Sequence, residues 1–206
     1  MSFRTAVRAS IILTAMAVAG PIAADEMPSA ARLMDDLMWG RGPIGGPFAL
    51  VDHTGKLRSD AEFRGKLLVI YFGYTYCPDV CPTDLMAIAQ AVDSLGPAGE
   101  MIQPIFISVD PERDTPDRLA EYVSAFHPRM IGMTGTPDQV RKVALSYKAY
   151  YAKVSEGNGT DYAIEHTGVV YLVGLSGEYL GFIPPQTSSE RLVEIFRKEL
   201  TASAQH

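Results

Sequence analysis

The chain has 206 residues, 47% of them hydrophobic, and a formal net charge of −6. That length suits one well-buried globular domain with short flanking segments rather than two domains. No heptad run, polar low-complexity tract or repeat of about 20 to 50 residues occurs, which excludes coiled-coil, disordered and solenoid classes, and the acidic balance lacks the basic stripe that nucleic-acid binding requires.

At the amino terminus, Arg4 and Arg8 precede an apolar run over residues 9–19, a helix break at Gly20-Pro21 and small residues at Ala23-Ala24. This is the layout of an export leader, residues 1–24, cleaved after Ala24. The alternative is an uncleaved membrane anchor, although the run falls short of the about 20 apolar residues of a span. Either reading places the domain in the periplasm or on the outer face of the cytoplasmic membrane. Losing Arg4 and Arg8 makes the remainder more acidic still. Residues 25–46 read as a tether holding a short helix, with Ala30, Leu33, Met34, Leu37 and Met38 at helical spacing, before a Gly/Pro-rich entry. Met34 and Met38 at that spacing are packing residues rather than thioether ligands. The domain spans 47–201, and 202–206 is a tail.

Residues 48–51 and 56–58, joined by Asp52-His53-Thr54-Gly55, form an opening β-hairpin. Residues 66–74 are a near-continuous apolar run, the pattern of a central strand covered on both faces. Residues 82–95 place Leu85, Ile88, Ala89 and Val92 at helical spacing, with Pro82 in the first turn, and 101–109 is the next strand. Asp114-Thr115-Pro116 opens a helix carrying Leu119, Tyr122, Val123 and Phe126, and Thr136-Pro137 opens another with Val140, Val143, Ala144 and Tyr147. Residues 167–175 and 178–183 make an antiparallel hairpin across Ser176-Gly177, and 188–200 is the closing helix. A βαβ half, a further helix, a hairpin and a last helix make an α/β, thioredoxin-like fold with an added N-terminal β-hairpin.

Both cysteines lie in one short segment, Cys77-Pro78-Asp79-Val80-Cys81. A disulfide closing so small a loop does little for the stability of a whole domain, so the pair points to chemistry. It sits where a strand passes into a helix, and there amide N–H groups and the helix dipole stabilise thiolates. Residues four apart on a helix have β-carbons about 5 to 6 Å apart, wider than a disulfide prefers but tolerable for two thiolates sharing a metal.

Two thiolates leave a metal short of ligands. Of the four histidines, His53 falls in a turn, His127 after a helix and His206 at the terminus, so each reads as solvated. His166 instead stands at the start of the hairpin strand, beside Glu165, where thioredoxin-like redox enzymes place a cis-proline facing the cysteines. No proline occurs between Pro137 and Pro184. Cys77, Cys81 and His166 are therefore the candidate metal ligands. Two sulfurs and an imidazole suit Cu(I); Cu(II) would want a further donor or water, and Zn(II) a fourth ligand. Asp110 has two readings, support for the site from the end of the next strand or a turn and capping residue.

Three stretches, Tyr71-Phe72-Gly73-Tyr74-Thr75-Tyr76-Cys77-Pro78-Asp79-Val80-Cys81-Pro82, Ser108-Val109-Asp110-Pro111-Glu112-Arg113-Asp114-Thr115 and Asp161-Tyr162-Ala163-Ile164-Glu165-His166-Thr167, resemble the signature regions of Sco/SenC proteins. The likeness runs in order over about residues 40–200. It implies one copper ion held by Cys77, Cys81 and His166, and a metallochaperone role in building the binuclear CuA centre of cytochrome c oxidase. The partners so implied are the oxidase's copper-binding subunit and other periplasmic copper carriers or thiol reductants. Glu165 departs from the Asp that the family often has before the histidine.

The main rival is a thiol-disulfide reductase acting on the oxidase's copper-ligand cysteines, with Cys77 and Cys81 as its redox-active pair. The thiolates that bind copper would also attack a disulfide, and their own disulfide would block metal binding. A peroxidase of the peroxiredoxin kind is weaker, since its motif wants Thr where this chain has Tyr74.

Overall fold

The computed structural model describes residues 27–155 and 162–203. The expected leader, Asp161 of the third matched stretch, and His206 lie outside them.

Strand β3 (Leu67–Gly73) is buried along its whole length, as the unbroken apolar run requires. It pairs in parallel with the equally buried β4 (Ile102–Ser108), with Gly73 opposite Ser108, so both strands end at the same edge of the sheet. Helix α2 (Val80–Ser94) crosses between them. On its other side β3 pairs antiparallel with β8 (Val170–Val173), which pairs in turn with β9 (Tyr179–Ile183). The order β9-β8-β3-β4, with α2 and the closing α5 (Ser189–Ser203) packed on each other, is the thioredoxin-like arrangement.

The opening hairpin is β1 (Ala49–Asp52) and β2 (Leu57–Ser59). The Asp52 carboxylate closes its turn by accepting the Thr54 amide at 2.8 Å and the Thr54 hydroxyl at 2.6 Å. The hairpin joins the main sheet through a strand that the sequence pattern hides, β5 (Ile131–Thr134), giving seven strands in the order β2-β1-β5-β4-β3-β8-β9. Gly132 makes that short run read as a break. Its lack of a side chain is instead a packing requirement: a β-carbon there would lie 3.0 Å from Leu119 Cβ and 3.1 Å from Val123 Cγ1.

Both predicted middle helices form where their proline starts place them. Thr115 caps α3 (Pro116–Ser124) and Thr136 caps α4 (Pro137–Ser146). In the tether, α1 (Ala30–Met38) buries Leu33 and Leu37, with Met34 packed against the core as expected, whereas Met38 is exposed and not the packing residue its spacing suggested. Among the described residues no helix is long and apolar enough to cross a membrane.

Two expectations need correction. Helix α2 starts at Val80 rather than at Pro82, so Cys81 lies inside its first turn. His166 does not begin the hairpin strand; it ends β7 (Tyr162–His166), which pairs only with β6 (Tyr151–Ser155) in a separate two-stranded ribbon. Strand β6 runs from half-buried to exposed, without the alternation that marks a strand in sequence.

The anchor of α5 to the sheet gives a stability prediction. Phe196 is fully buried, so Phe196→Ala should lower the unfolding free energy by about 3 to 5 kcal/mol in urea denaturation. A loss below about 1 kcal/mol would mean that the helix is not held by that ring.

Candidate metal centre

The loop after β3 carries Cys77, the first turn of α2 carries Cys81, and the end of β7 carries His166. Both cysteines are free thiols. One donor atom from each of the three residues lies within 4.8 Å of the others, and no further His, Cys, Asp or Glu among the described residues belongs to that group. His166 Nε2 is 3.2 Å from Cys81 Sγ. The structure thus brings all three predicted residues together.

Cys81 is fully buried and Cys77 nearly so. The Cys81 amide, near the start of α2, donates to Cys77 Sγ at 3.5 Å. The Cys77 thiol is pulled down to about 4: the Cys81 thiol hydrogen-bonds to it first, burial opposes, and His166 with the amides of Cys81 and Asp79 add to the pull. Cys81 moves the opposite way, because it donates to Cys77, is buried, and faces the charge its neighbour acquires. The two thiols titrate as a coupled pair, and the opposite directions of their shifts favour Cys77 as the one that ionises first.

Several residues that shape the site carry no signal of their own in the sequence. Tyr71 and Tyr74 stand edge-on to the His166 ring, with centroids 6.2 and 5.8 Å away. His166 Nδ1 is buried without a hydrogen-bond partner, so ring packing and the Nε2 contact with Cys81 Sγ set the ring's orientation. Tyr71 donates its hydroxyl to Asp84 at 3.1 Å, and the Gln186 amide donates to the same carboxylate at 2.7 Å. Gln186 adopts a left-handed φ of 58° to do so. Burial raises the Asp84 carboxyl above its ordinary value. Asp84 shares a helix face with Cys81, Leu85 and Ile88; an acid on an apolar stripe is the one sequence signal that would have found it. Gly73 makes room for the sulfur, since a β-carbon there would sit 2.8 Å from Cys81 Sγ.

The remaining candidates fall elsewhere. Asp110 lies outside the donor group and is fully buried. It closes a turn by accepting the amides of Arg113 and Asp114, and its carboxylate accepts the Tyr162 hydroxyl at 2.7 Å. Glu165 is exposed and borders, with Met34, Tyr150 and Pro185, a groove of about 410 Å³ beside His166. His53 and His127 are not the solvated residues expected: His53 Nδ1 accepts the Gly132 amide at 3.1 Å, and His127 is buried between Asp93 and the Arg129 amide. Both lock turns, a role that depends on tertiary neighbours.

Limiting iodoacetamide at about pH 6 should alkylate Cys77 of the reduced protein well before Cys81, read by peptide mass spectrometry. Equal labelling would contradict this division of proton and exposure.

The sequence pattern of the SCO1/SenC family matches residues 38–201. The human protein SCO1 homolog, mitochondrial, is 43% identical over 145 residues, covering 69% of this chain and 48% of that one. The chain thus spans about half the length of that relative, and 51% of the Arabidopsis thaliana SCO1 homolog 1. Among solved structures, copper-bound ScoI of Arabidopsis thaliana superposes with a TM-score of 0.73 at 40% identity, covering 77% of this chain and 99% of that one. Copper-bound ScoI of Bradyrhizobium japonicum gives 0.71 at 39% identity, covering 76% and 99%. The family match over most of the chain and the shared thioredoxin-like fold establish that this chain belongs to the SCO1/SenC family.

Proposed function

We propose that the chain is a copper metallochaperone that carries one copper ion between Cys77, Cys81 and His166 and delivers it to the CuA centre of cytochrome c oxidase. The observation that carries this reading is the convergence of two sulfurs and an imidazole, from three separate segments, within 4.8 Å. That donor set is soft and three-membered, which Cu(I) accepts and Zn(II) does not favour. The copper-bound state of the Arabidopsis and Bradyrhizobium relatives supports the same cargo. Receivers and donors on this reading are the oxidase's copper-binding subunit and periplasmic copper carriers. Residues 1–24 export the chain or anchor it to the outer face of the cytoplasmic membrane, 25–46 link, and 47–201 form the copper-binding domain, followed by a tail over 202–206.

The low-lying Cys77 thiol favours a second reading, thiol-disulfide reduction of the oxidase's copper-ligand cysteines. The two roles exclude each other at any instant, because a Cys77 to Cys81 disulfide removes both sulfur donors.

Reduced protein should bind one Cu(I) under a competing chelator. Cys77→Ser and Cys81→Ser should abolish stoichiometric binding, and His166→Ala should weaken it by about tenfold to a hundredfold while sparing the fold. Undiminished retention by His166→Ala would end the three-donor reading, and failure of the reduced wild type to bind copper would leave the reductase. Disulfide reductase activity, if present, should survive His166→Ala.

A further inference from the structure

His166 sits at the end of a strand that, among the described residues, has one partner. The β6–β7 ribbon belongs to neither edge of the main sheet, and an isolated two-stranded ribbon is marginally stable by itself. Near His166 it is tied down by Ile164, buried in the core, and by pairing of Thr167 with Tyr150. At the other end of β7 stands Tyr162, and there one side chain meets it at both its carbonyl and its ring. The Arg113 guanidinium donates from Nη1 to the Tyr162 carbonyl at 3.0 Å and lies 3.7 Å from the centre of the Tyr162 ring. Its Nε donates to the Asp110 carboxylate, which also accepts the Tyr162 hydroxyl. The same guanidinium is 4.8 Å from the Tyr76 ring and 5.9 Å from that of Tyr74, the ring that edges onto His166. Beside it, Lys153 of β6 pairs with Glu112 at 2.6 Å and lies 4.5 Å from the Tyr162 ring.

The loop bearing Arg113 is also fixed to the cysteine segment. Asp114, fully buried, accepts the Thr75 amide at 3.0 Å, the Thr75 hydroxyl at 2.7 Å and the Ser108 hydroxyl at 2.6 Å. Thr75 is two residues before Cys77. A single five-residue loop, 110–114, therefore joins the segment that supplies the sulfurs to the strand that supplies the imidazole.

We propose that Arg113 is the positioning residue for His166: clasping Tyr162 and Asp110, it latches β7 to the cysteine end of the sheet and so sets how firmly the third donor meets the metal. Arg113 itself touches no donor atom. The planar fork is needed, because it bonds the carboxylate and the carbonyl while stacking on a ring, which a lysine cannot do.

The metal arm of the test rests on the copper reading above; the other arm does not. Cu(I) affinity of the reduced full chain is measured for wild type, Arg113→Lys, His166→Ala and the double variant. Arg113→Lys should weaken binding by about tenfold when His166 is present and leave the His166→Ala protein unchanged; equal losses in both backgrounds overturn the proposal. Should Arg113→Lys fail to fold, Tyr162→Phe, which removes only the hydroxyl bond to Asp110, takes its place in the same cycle. In metal-free reduced protein, hydrogen exchange of the β7 amides should speed up in Arg113→Lys while β3 stays protected. Unchanged β7 exchange overturns the latch whether or not copper binds.

Discussion

Asp114 and Asp110 are two fully buried carboxylates on one short loop, and the geometry of the metal centre depends on where they are anchored. A charge or polar group removed from water must be compensated by hydrogen bonds. Asp114 finds its bonds on Thr75 and Ser108, and Asp110 finds them on Arg113 and Tyr162. Satisfying the two acids therefore draws the cysteine loop, the end of β4 and the start of β7 to one place. Neither bond set could move far without leaving a buried acid unpaired.

The parallel pairing of β3 with β4 provides the platform. Because Gly73 lies opposite Ser108, the loops that leave the two strands emerge side by side, and ligands in open α/β sheets gather at this carboxyl edge. Helix α2 then starts at Val80, three residues past Cys77, and the Cys81 amide in its first turn donates back to the Cys77 sulfur. The cysteines differ in character chiefly because one bonds to the other: the Cys81 thiol donates to Cys77 and lowers it, the amides at the start of α2 adding to the pull, while Cys81, buried against Gly73, is raised.

The imidazole side of the site is built differently. His166 is held by ring packing from Tyr71 and Tyr74 and by a ribbon outside the main sheet, not by a hydrogen bond to Nδ1. The two sulfurs are placed by the loop after β3 and the first turn of α2, and the imidazole by those rings and by its contact with Cys81 Sγ.

The central strands, the helix after the cysteines, the two proline-started helices and the final hairpin and helix were legible in the sequence, because long apolar runs and capping residues are local signals. Cys77 and Cys81 were legible as a candidate pair by their chemistry and spacing, and His166 as their candidate partner by its place in the third matched stretch, although it ends β7 instead of starting the hairpin strand. Strand β5 was hidden by Gly132, whose reason lies across the core in Leu119 and Val123, and the β6–β7 ribbon by a half-exposed strand with no alternation. Tyr71 and Tyr74 belonged to the apolar strand run, and Arg113 stood within the second matched stretch with no role of its own. What the sequence alone determined is the fold, which follows from periodicity and turn chemistry, and the candidates for the site, which follow from side-chain type and the three matched stretches. Only the tertiary structure decided which aromatic rings, buried acids and guanidinium hold the donors in place, because each of those roles is a contact between residues far apart in the chain.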